Sequence, residues 1–449
     1  MTKRFAFFSV AVFLLIASFS VLHSEESKQE ESDLYTQSLK NPNAANAQAL
    51  KNYNLKRWTL GLPAIPLDFL KSGFDPALYY VEDTHLVKKI DWLWKEFKRR
   101  GFYPEARFSP TTMGMGAGVR AELDEILKTN QNLPFLKYDA LVGYAAGGFF
   151  DASTGYKISL PENPAFYHQT RIKYENTPLL NFYGIGSNAN RGDRSLYSQE
   201  ELNIDTRLGY KAYYFMAEPF LRYRHVNIGN GHLEGEFRTK ERFNESQVPG
   251  INGVNLLDIG TFLSHDTRDA DEDPLKGGYE QFDFHYSGDT EGQNFRYLTM
   301  NFRAAHFFEL WSDRRVFALH LFAGRTQKLG DNEIPFFDLQ RIGGYGVQPS
   351  GSEMLRSLAN NRYMDQTAFV ITPEYRYNIW KYGNFSADSV FFADFGEVFK
   401  EIHNFGIDRL KPAYGAGIRV KKLRDVFFSF EVAHGNEGTV FYARTKTPF

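Results

Sequence analysis

From about Arg107 to Phe449, apolar and polar residues alternate with a period of two, in one short segment after another. In residues 282–287, for example, three aromatic residues interleave with Asp, His and Ser. Successive side chains of a β-strand point to opposite faces, so each such strand has one face suited to lipid and one suited to water. The pattern predicts a transmembrane β-barrel, with an aromatic-rich soluble β-sandwich as the alternative.

Composition narrows the class of protein further. A net charge of −2 with 24% charged residues fits neither a basic nucleic-acid binder nor an acidic disordered chain, so no nucleic-acid partner is expected. The mean hydropathy of −0.43 is too low for a bundle of membrane helices, each of which needs about 20 mostly apolar residues. The aromatic content of 16% fits the interfacial girdles of membrane barrels.

Residues 1–24 have the pattern of a secretory signal peptide. Lys3 and Arg4 form its basic end, residues 5–19 its apolar core, and Ser20 and Ser24 lie near a cleavage site. The alternative is an uncleaved anchor, for which this stretch is short. Because the chain has no Cys, no lipid-attachment cysteine or disulfide is expected. Export combined with a barrel predicts an integral protein of the outer membrane of a diderm bacterium.

The residues before the barrel divide into two segments. Residues 25–65 are polar and aperiodic, which predicts a flexible tether, whereas residues 66–106 are helical in pattern. The segment 83–100 predicts a basic amphipathic helix with one apolar face. Such a helix could lie on the inner leaflet, dock on the periplasmic rim, fill the lumen, or pack within a small soluble domain.

The remaining residues, 107–449, are assigned to the barrel domain. Alternation identifies fifteen strands from about Thr112 onward. Single-chain bacterial barrels usually have an even number of antiparallel strands, so we expect one further strand, within 177–186, and a total of 16, with 14 as the alternative. The stretches 227–253 and 326–365 lack alternation and are expected to be long extracellular loops.

The second of these loops begins an ordered series of short motifs. The series comprises Gly343-Gly344, Leu355-Arg356-Ser357-Leu358, Arg362-Tyr363-Met364-Asp365, Glu374-Tyr375-Arg376 and Asp394-Phe395-Gly396. Upstream stand Asp266-Thr267-Arg268-Asp269 and Pro274-Leu275-Lys276-Gly277. In this order the motifs resemble the barrel domain of the BamA/TamA outer-membrane assembly-factor superfamily, also called the bacterial surface antigen family. The similarity extends over about residues 107–449.

The resemblance implies that the loop around Arg356 folds back into the lumen. There its guanidinium would pair with an acidic residue of the inner wall, Asp394 in the first place and Glu374 in the second. The planar fork of Arg can form two parallel bonds to a carboxylate, and either charge alone in a partly dry cavity would be costly. An exposed loop Arg beside an ordinary wall carboxylate is the alternative.

The chain also departs from the family pattern. Ser357 and Leu358 replace the family's glycine and aromatic residue, which removes easy access to a left-handed backbone and a ring that could pack on the wall. Residues 25–106 show one helix and little strand pattern, so the chain is expected to lack the peptide-transport-associated domains that recruit clients by strand addition.

Two features concern the ends of the predicted barrel. Gly114, Gly116 and Gly118 fall in the predicted first strand, and because glycine weakens strands, they predict a weak seam with the last strand. The terminal Phe449 resembles the signal by which such barrels are recognised for insertion. The resemblance thus implies as partners the outer-membrane lipid, the barrel-assembly machinery during insertion, and unfolded outer-membrane or secreted client proteins.

The sequence contains no recognisable catalytic or metal-binding motif. It has no Cys, no Gly-x-Ser-x-Gly, no phosphate loop and no His-x-x-x-His on a helix, so no catalytic residue, metal or cofactor is expected. The expected function is non-enzymatic: assembly, insertion or translocation of outer-membrane proteins through a lateral seam. The alternative is a surface-exposed binding or structural barrel, or a small-solute pore, without assembly activity.

Overall fold

The computed structural model describes the sheet-forming part of the chain and little of the sequence before it. The described residues are 96, 97, 99, 101–109, 114–122, 135–159, 163, 165–231, 233–292, 294–310, 315–345, 352–382 and 384–444. The predicted signal peptide (1–24), the predicted tether (25–65), Phe449 and most of the predicted helix lie outside them. Of that helix, Glu96, Phe97 and Arg99 are described and are helical.

The described residues form eighteen strands. They are β1 (Phe102–Ser109), β2 (Gly114–Glu122), β3 (Phe135–Ala145), β4 (Phe150–Ser159), β5 (Phe166–Phe182), β6 (Ser195–Ala212), β7 (Phe215–Asn230), β8 (Val254–Asp266), β9 (Gly277–Asp289), β10 (Arg296–Glu309), β11 (Arg315–Lys328), β12 (Gln340–Ile342), β13 (Tyr363–Asp365), β14 (Thr367–Tyr382), β15 (Phe385–Phe399), β16 (Lys411–Lys422), β17 (Asp425–Gly435) and β18 (Gly438–Arg444). Besides the helical residues 96, 97 and 99, the described part of the chain has the helix α1 (Thr239–Arg242) and four 3₁₀ turns, Arg191–Asp193, Phe336–Asp338, Ile402–Asn404 and Ile407–Arg409.

Sixteen strands pair in chain order into one antiparallel sheet, which confirms the predicted all-β fold and strand number. Only β12 and β13 stand apart, as a two-stranded sheet within the connection from β11 to β14. None of the helices among the described residues has the length and apolarity needed to cross a membrane.

The sixteenth strand is β1, and the predicted location within 177–186 is wrong because residues 177–182 extend β5. The sheet therefore begins at Phe102, inside the segment 66–106 that was predicted to be helical. Pro104 obscured this strand, since proline cannot donate to a ladder and is confined to edge strands. In this structure β1 is an edge strand, because it is the first strand of the sheet.

The two faces of the sheet have opposite chemistry. Where β9 pairs with β10, Phe282 lies opposite Phe302 on one face and Asp283 lies opposite Asn301 on the other. The apolar face includes large exposed side chains such as Leu208 (63% exposed), whereas the other face contains buried charges. This reversal of the usual soluble pattern is expected where lipid surrounds a polar interior.

Contacts between strands that are distant in the sheet show that it curves round on itself. Asp273, between β8 and β9, pairs with Lys421 of β16 across the interior. At the other end, Arg191 Nη1 donates to the carbonyl oxygen of Glu437, 3.2 Å away, between β17 and β18. Cα atoms of β1 and β18 come within 8 Å, but no ladder joins these two strands over their described residues.

The connections at the two ends of the sheet differ in length. The longest, residues 231–253 and 329–366, lie at the same end, as predicted for the extracellular side. At the opposite end β6 and β7 are joined by two residues, as are β16 and β17. Over the long-loop end, apolar side chains of strands and loops pack together: Leu180, Phe182, Tyr197, Val226, Ile228, Val248, Ile251, Val254, Leu256, Phe295, Tyr297, Ile334, Phe336, Phe337, Leu339 and Met364. This cluster covers that end of the interior.

Candidate functional site

The connection between β11 and β14 turns back into the interior of the sheet, and glycines make its return possible. Gly343 has a φ of 126° and Gly344 a φ of 73°, a backbone region that side chains disfavour. The carbonyl oxygen of Gly344 accepts from the backbone N–H of Leu355 at 3.0 Å, and the N–H of Gly344 donates to the carbonyl oxygen of Leu358 at 3.0 Å. Leu355 is fully buried and packs towards Gly396 of β15, where a Cβ atom would lie 3.6 Å from its Cδ1.

Arg356, at the tip of this loop, contacts Asp394 of β15 through three donors. Its Nε lies 2.9 Å from Oδ2, its Nη2 2.7 Å from Oδ1, and its backbone N–H donates to Oδ2 at 3.0 Å. Thr372 of β14 donates to the same carboxylate at 3.1 Å. The side chains of Arg356 and Asp394 are both 0% exposed, so this bidentate pair is formed in a dry environment.

Two further carboxylates surround the guanidinium of Arg356. Its Nη1 lies 3.0 Å from Oε2 of Glu431 in β17 and 3.7 Å from Oε2 of Glu374 in β14. Its Cζ stands 3.1 Å from the ring centroid of Phe392, a cation–π contact. Burial by itself would lower the pKa of Arg356, but Asp394 and Glu431 outweigh that effect and raise the pKa above its usual value.

The carboxylates are in turn held by two arginines of the wall. Arg419 of β16 donates to Glu374 at 2.8 Å and to Glu431 at 2.8 Å. Arg376 of β14 donates to Glu374 at 2.7 Å. We call the set of six the lumen ion cluster: Arg356, Asp394, Glu374, Glu431, Arg419 and Arg376. Its three cations and three carboxylates balance in charge, which is what permits such a set to be buried.

The structure places Arg356 2.7 Å from Asp394, the first of its two expected partners, and 3.7 Å from Glu374, the second, and it adds further residues to the site. Sequence reasoning named Arg376 only as a motif residue and did not identify Arg419 as part of the site, and it missed that Glu431 is a direct partner of Arg356. It also missed Tyr442 of β18, whose hydroxyl donates to the carbonyl oxygen of Arg356 at 2.6 Å. Alternation predicts the face of the sheet on which these residues lie. It does not predict their positions along the barrel axis, which depend on the strand register.

The two departures from the family pattern fit this loop without strain. The φ of Ser357 is not positive, so glycine is not required there. Instead the facing wall residue is a glycine, Gly435, at which a Cβ atom would collide with the Ser357 side chain. Leu358 is 3% exposed and packs in an apolar cluster with Leu355 and Tyr363. A branched aliphatic side chain therefore fills the space that the pattern assigns to an aromatic ring.

A second set of charges holds the root of the loop. Arg224 of β7 donates to Asp258 of β8 at 2.8 Å and to Asp338 of the loop at 2.9 Å. The hydroxyl of Tyr297 also donates to Asp338. Burial alone would raise the pKa of Asp338, but Arg224 outweighs that effect and lowers the pKa below its usual value. The loop is thus attached both to β7–β10 and to β14–β17.

The motif residues after Arg356 attach the loop to the outer connections. Arg362 Nε donates to Glu437 at 2.6 Å and its Nη1 to the carbonyl oxygen of Ala189 at 2.9 Å. The ring of Tyr363 lies under the Arg362 guanidinium, 4.2 Å from Cζ. Asp365 accepts a hydrogen bond from the backbone of Gln366 at 2.8 Å, just before β14.

Other predicted site residues lie elsewhere. Asp266 and Gly277 flank the turn between β8 and β9, and Arg268 and Asp269 lie within it, at the end opposite the long loops. Gly114, Gly116 and Gly118 belong to β2, so the prediction that they form the first strand is wrong, because β1 precedes them. Within the described ranges, no three His, Asp or Glu side chains converge as metal ligands.

Taken together, a sixteen-stranded sheet with an apolar outer face and a loop pinned inside it by buried arginine–carboxylate pairs defines a class of outer-membrane barrel. The family model described as the Omp85 superfamily domain matches residues 113–422. The chain belongs to the Omp85 superfamily, and it is an integral outer-membrane protein of a diderm bacterium.

A solved structure of a BamA barrel shows the same fold at low identity. BamA from Haemophilus ducreyi lacking POTRA domains 1–3 is similar with a TM-score of 0.53 and 13% identity, over 76% of this chain and 69% of that chain. CdiB from Escherichia coli gives a TM-score of 0.47 and 10% identity, over 76% of this chain and 61% of that chain. No curated protein matches the chain.

Proposed function

We propose that this barrel assists the assembly, insertion or translocation of other chains in the outer membrane, by opening between β1 and β18. Its partners are then the outer-membrane lipid, unfolded outer-membrane or secreted client chains, and, during its own insertion, the barrel-assembly machinery. The proposed role is non-enzymatic. It is supported by the superfamily membership and by one observation above all: the loop tip at Arg356 is bonded to the strands beside that seam.

The bonding of the tip relates the loop to the seam. Arg356 contacts Asp394 in β15 and Glu431 in β17, and its carbonyl oxygen accepts from Tyr442 in β18. One loop therefore braces the last strands of the sheet from inside. We infer that it keeps β18 in position while the opposite edge, β1, moves away or receives a client strand.

The strand edges at the seam provide a means of capturing a client. An unpaired strand edge presents N–H and C=O groups that can pair with an incoming extended segment, as in strand addition. Over their described residues no ladder joins β1 to β18, whereas every other pair of neighbouring strands in this sheet is hydrogen-bonded. A seam with fewer ladder hydrogen bonds costs less to open, because fewer backbone hydrogen bonds are exchanged.

The alternative is a small-solute pore or a surface-exposed binding or structural barrel. A pore requires a continuous wet path, and the buried lumen ion cluster opposes that reading, because its side chains are at most 2% exposed. A binding or structural barrel would share the pinned loop but would not need the seam to open.

Crosslinking across the seam separates these functions. Since the chain has no cysteine, pairs can be introduced along β1 and β18 without background thiols. We expect that the crosslinked protein, reconstituted in lipid vesicles, loses most of its ability to accelerate the insertion of an unfolded outer-membrane protein. Reducing the disulfide is expected to restore that ability. The matched control is Val432→Cys with Phe441→Cys, which joins partners already paired within the sheet. Full activity with the seam crosslinked contradicts the proposal.

A further inference from the structure

The connection between β8 and β9 is unlike the other described connections at its end of the barrel. It has ten residues, 267–276, where β6–β7 and β16–β17 are each joined by two. A long polar hairpin turn is ordinarily solvated. Here its central residues are instead buried: Asp273 is 3% exposed, and Pro274 is also buried.

This turn is braced by its own hydrogen bonds. The Asp269 carboxylate accepts from the backbone N–H groups of Leu275 at 2.9 Å and Lys276 at 3.3 Å. Gly277 has a φ of 92°, and a Cβ atom there would collide with the carbonyl of Thr267. The motif residues Asp269 and Gly277 thus fix the shape of the turn, and a stiff turn can hold its tip away from solvent.

The tip of the turn reaches the inner wall on both sides. Its Asp273 carboxylate pairs with Lys421 of β16 and lies 3.4 Å from Nη1 of Arg376 in β14. Leu275 packs on an apolar patch of the inner faces of β10 and β11, made of Ala305, Phe307, Val316 and Ala318. The turn therefore crosses the interior from β8 and β9 to β16.

Arg376 joins the turn to the lumen ion cluster. Its Nε donates to Glu374 at 2.7 Å, and its Nη1 faces Asp273 and the carbonyl oxygen of Pro274 at 3.5 Å. Glu374 in turn holds Arg419 and lies 3.7 Å from Arg356. An unbroken series of charges thus runs from the loop that enters at one end to the turn that enters at the other.

We propose that the turn 267–276 is a second plug, which closes the lumen from the short-turn end and is coupled to the Arg356 loop through Glu374 and Arg376. The two plugs act in series, so removing one leaves the other in place. Because Glu374 and Arg376 serve both, releasing the loop also weakens the hold on the turn. This arrangement concerns how the lumen is closed, and it does not rest on the assembly activity proposed above.

Conductance in planar bilayers tests the two-plug arrangement. Four proteins are compared: the intact chain, Arg356→Ala, the turn variant Asp273→Ala with Leu275→Ala, and the combination. We expect open events to be about tenfold or more frequent in the combination than in either variant, because both barriers must be absent at once. If either variant alone conducts like the combination, or if the combination conducts like the intact chain, the proposal is overturned.

Crosslinking keeps the test decisive where a variant fails to fold. In the cysteine-free chain, Asp273→Cys and Lys421→Cys are expected to be joined by a short bifunctional thiol reagent, since the native side chains are in contact. The matched control, Asp331→Cys with Lys421→Cys, uses an exposed residue of the long-loop end and is expected to stay uncrosslinked. Failure of the first pair, or equal reaction of both, would show that the turn does not enter the lumen.

Discussion

The two walls beside the seam differ on their inner faces. In β2 and β3, small residues pair on the inner face near the long-loop end, Gly116 with Ala145 and Gly118 with Gly143, and Arg120 and Glu122 follow on the same face of β2. In β14–β17 the corresponding face is charged, with Glu374, Arg376, Asp394, Arg419 and Glu431. The loop that enters the lumen bonds to the charged wall. The barrel thus has one wall that the loop fixes from inside, and on the other side of the seam a wall whose inner face is small at Gly116 and Gly118.

The difference between the two inner faces indicates which side of the seam can move. A wall held by a buried network moves as a unit, because breaking any pair leaves an uncompensated charge. Gly116 and Gly118 offer no side chains to such a network, and glycine also weakens a strand through its larger loss of conformational entropy. We therefore expect motion at the seam to involve β1–β3, with β14–β18 as the fixed side.

The largest effect is expected from breaking the fixed wall at Arg356. Arg356→Ala leaves Asp394 buried without its main partner and removes one of the two arginine partners of Glu431, and a broken buried pair costs about 3–5 kcal/mol. The free energy of unfolding in urea, followed by tryptophan fluorescence in lipid vesicles, measures the loss. Arg356→Lys should recover only part of it, because an ammonium cannot replace the bidentate fork.

The control for this variant is Arg296→Ala, at an exposed arginine that begins β10. Its expected cost is below about 0.5 kcal/mol, as for surface substitutions in general. Equal losses at positions 296 and 356 would show that the lumen ion cluster does not fix this wall.

A smaller effect is expected on the other wall at Gly116. A Cβ atom at this position would lie 2.7 Å from the Cα of Ala145 and would collide with the carbonyl oxygen of Tyr144. Gly116→Ala should therefore force β2 and β3 apart and cost about 1–3 kcal/mol, as overpacking does. The same urea titration measures it, with Gly192→Ala as control, since a Cβ at Gly192 meets its nearest atom, Asn190 Oδ1, at 3.5 Å. A neutral Gly116→Ala would mean that this wall tolerates side chains and that glycine there has another cause.

The sequence predicts those parts of the structure that depend on interactions between residues close together in the chain. Alternation depends on one residue and its neighbours, so it located fifteen of the sixteen strands of the sheet, and the usual even strand number supplied the total. Alternation failed at β1, where Pro104 and the helical pattern before it concealed an edge strand. This error also displaced the predicted seam, because Gly116 was then assigned to the first strand.

Within the site, the sequence predicted only contacts between residues of the motif series. The pairing of Arg356 with Asp394 followed from the resemblance, whereas Glu431 and Tyr442 lie 75 and 86 residues away along the chain and carry no motif. Their approach depends on the register of β17 and β18, which a single sequence does not fix at this distance. The same holds for Asp273, whose contact with Lys421 spans 148 residues.

The smallest effect concerns the loop tip itself, at Ser357. Its hydroxyl oxygen is buried and has no hydrogen-bond partner among the described residues, which costs free energy, while its Cβ packs against Gly435 of the fixed wall. Ser357→Ala removes the unpaired hydroxyl and keeps the Cβ, so stability should be unchanged or rise by up to about 1 kcal/mol. In the urea titration, a loss larger than about 1 kcal/mol would instead show that the hydroxyl has a partner in the membrane-embedded protein. The fixed wall would then depend on that bond as well as on Arg356.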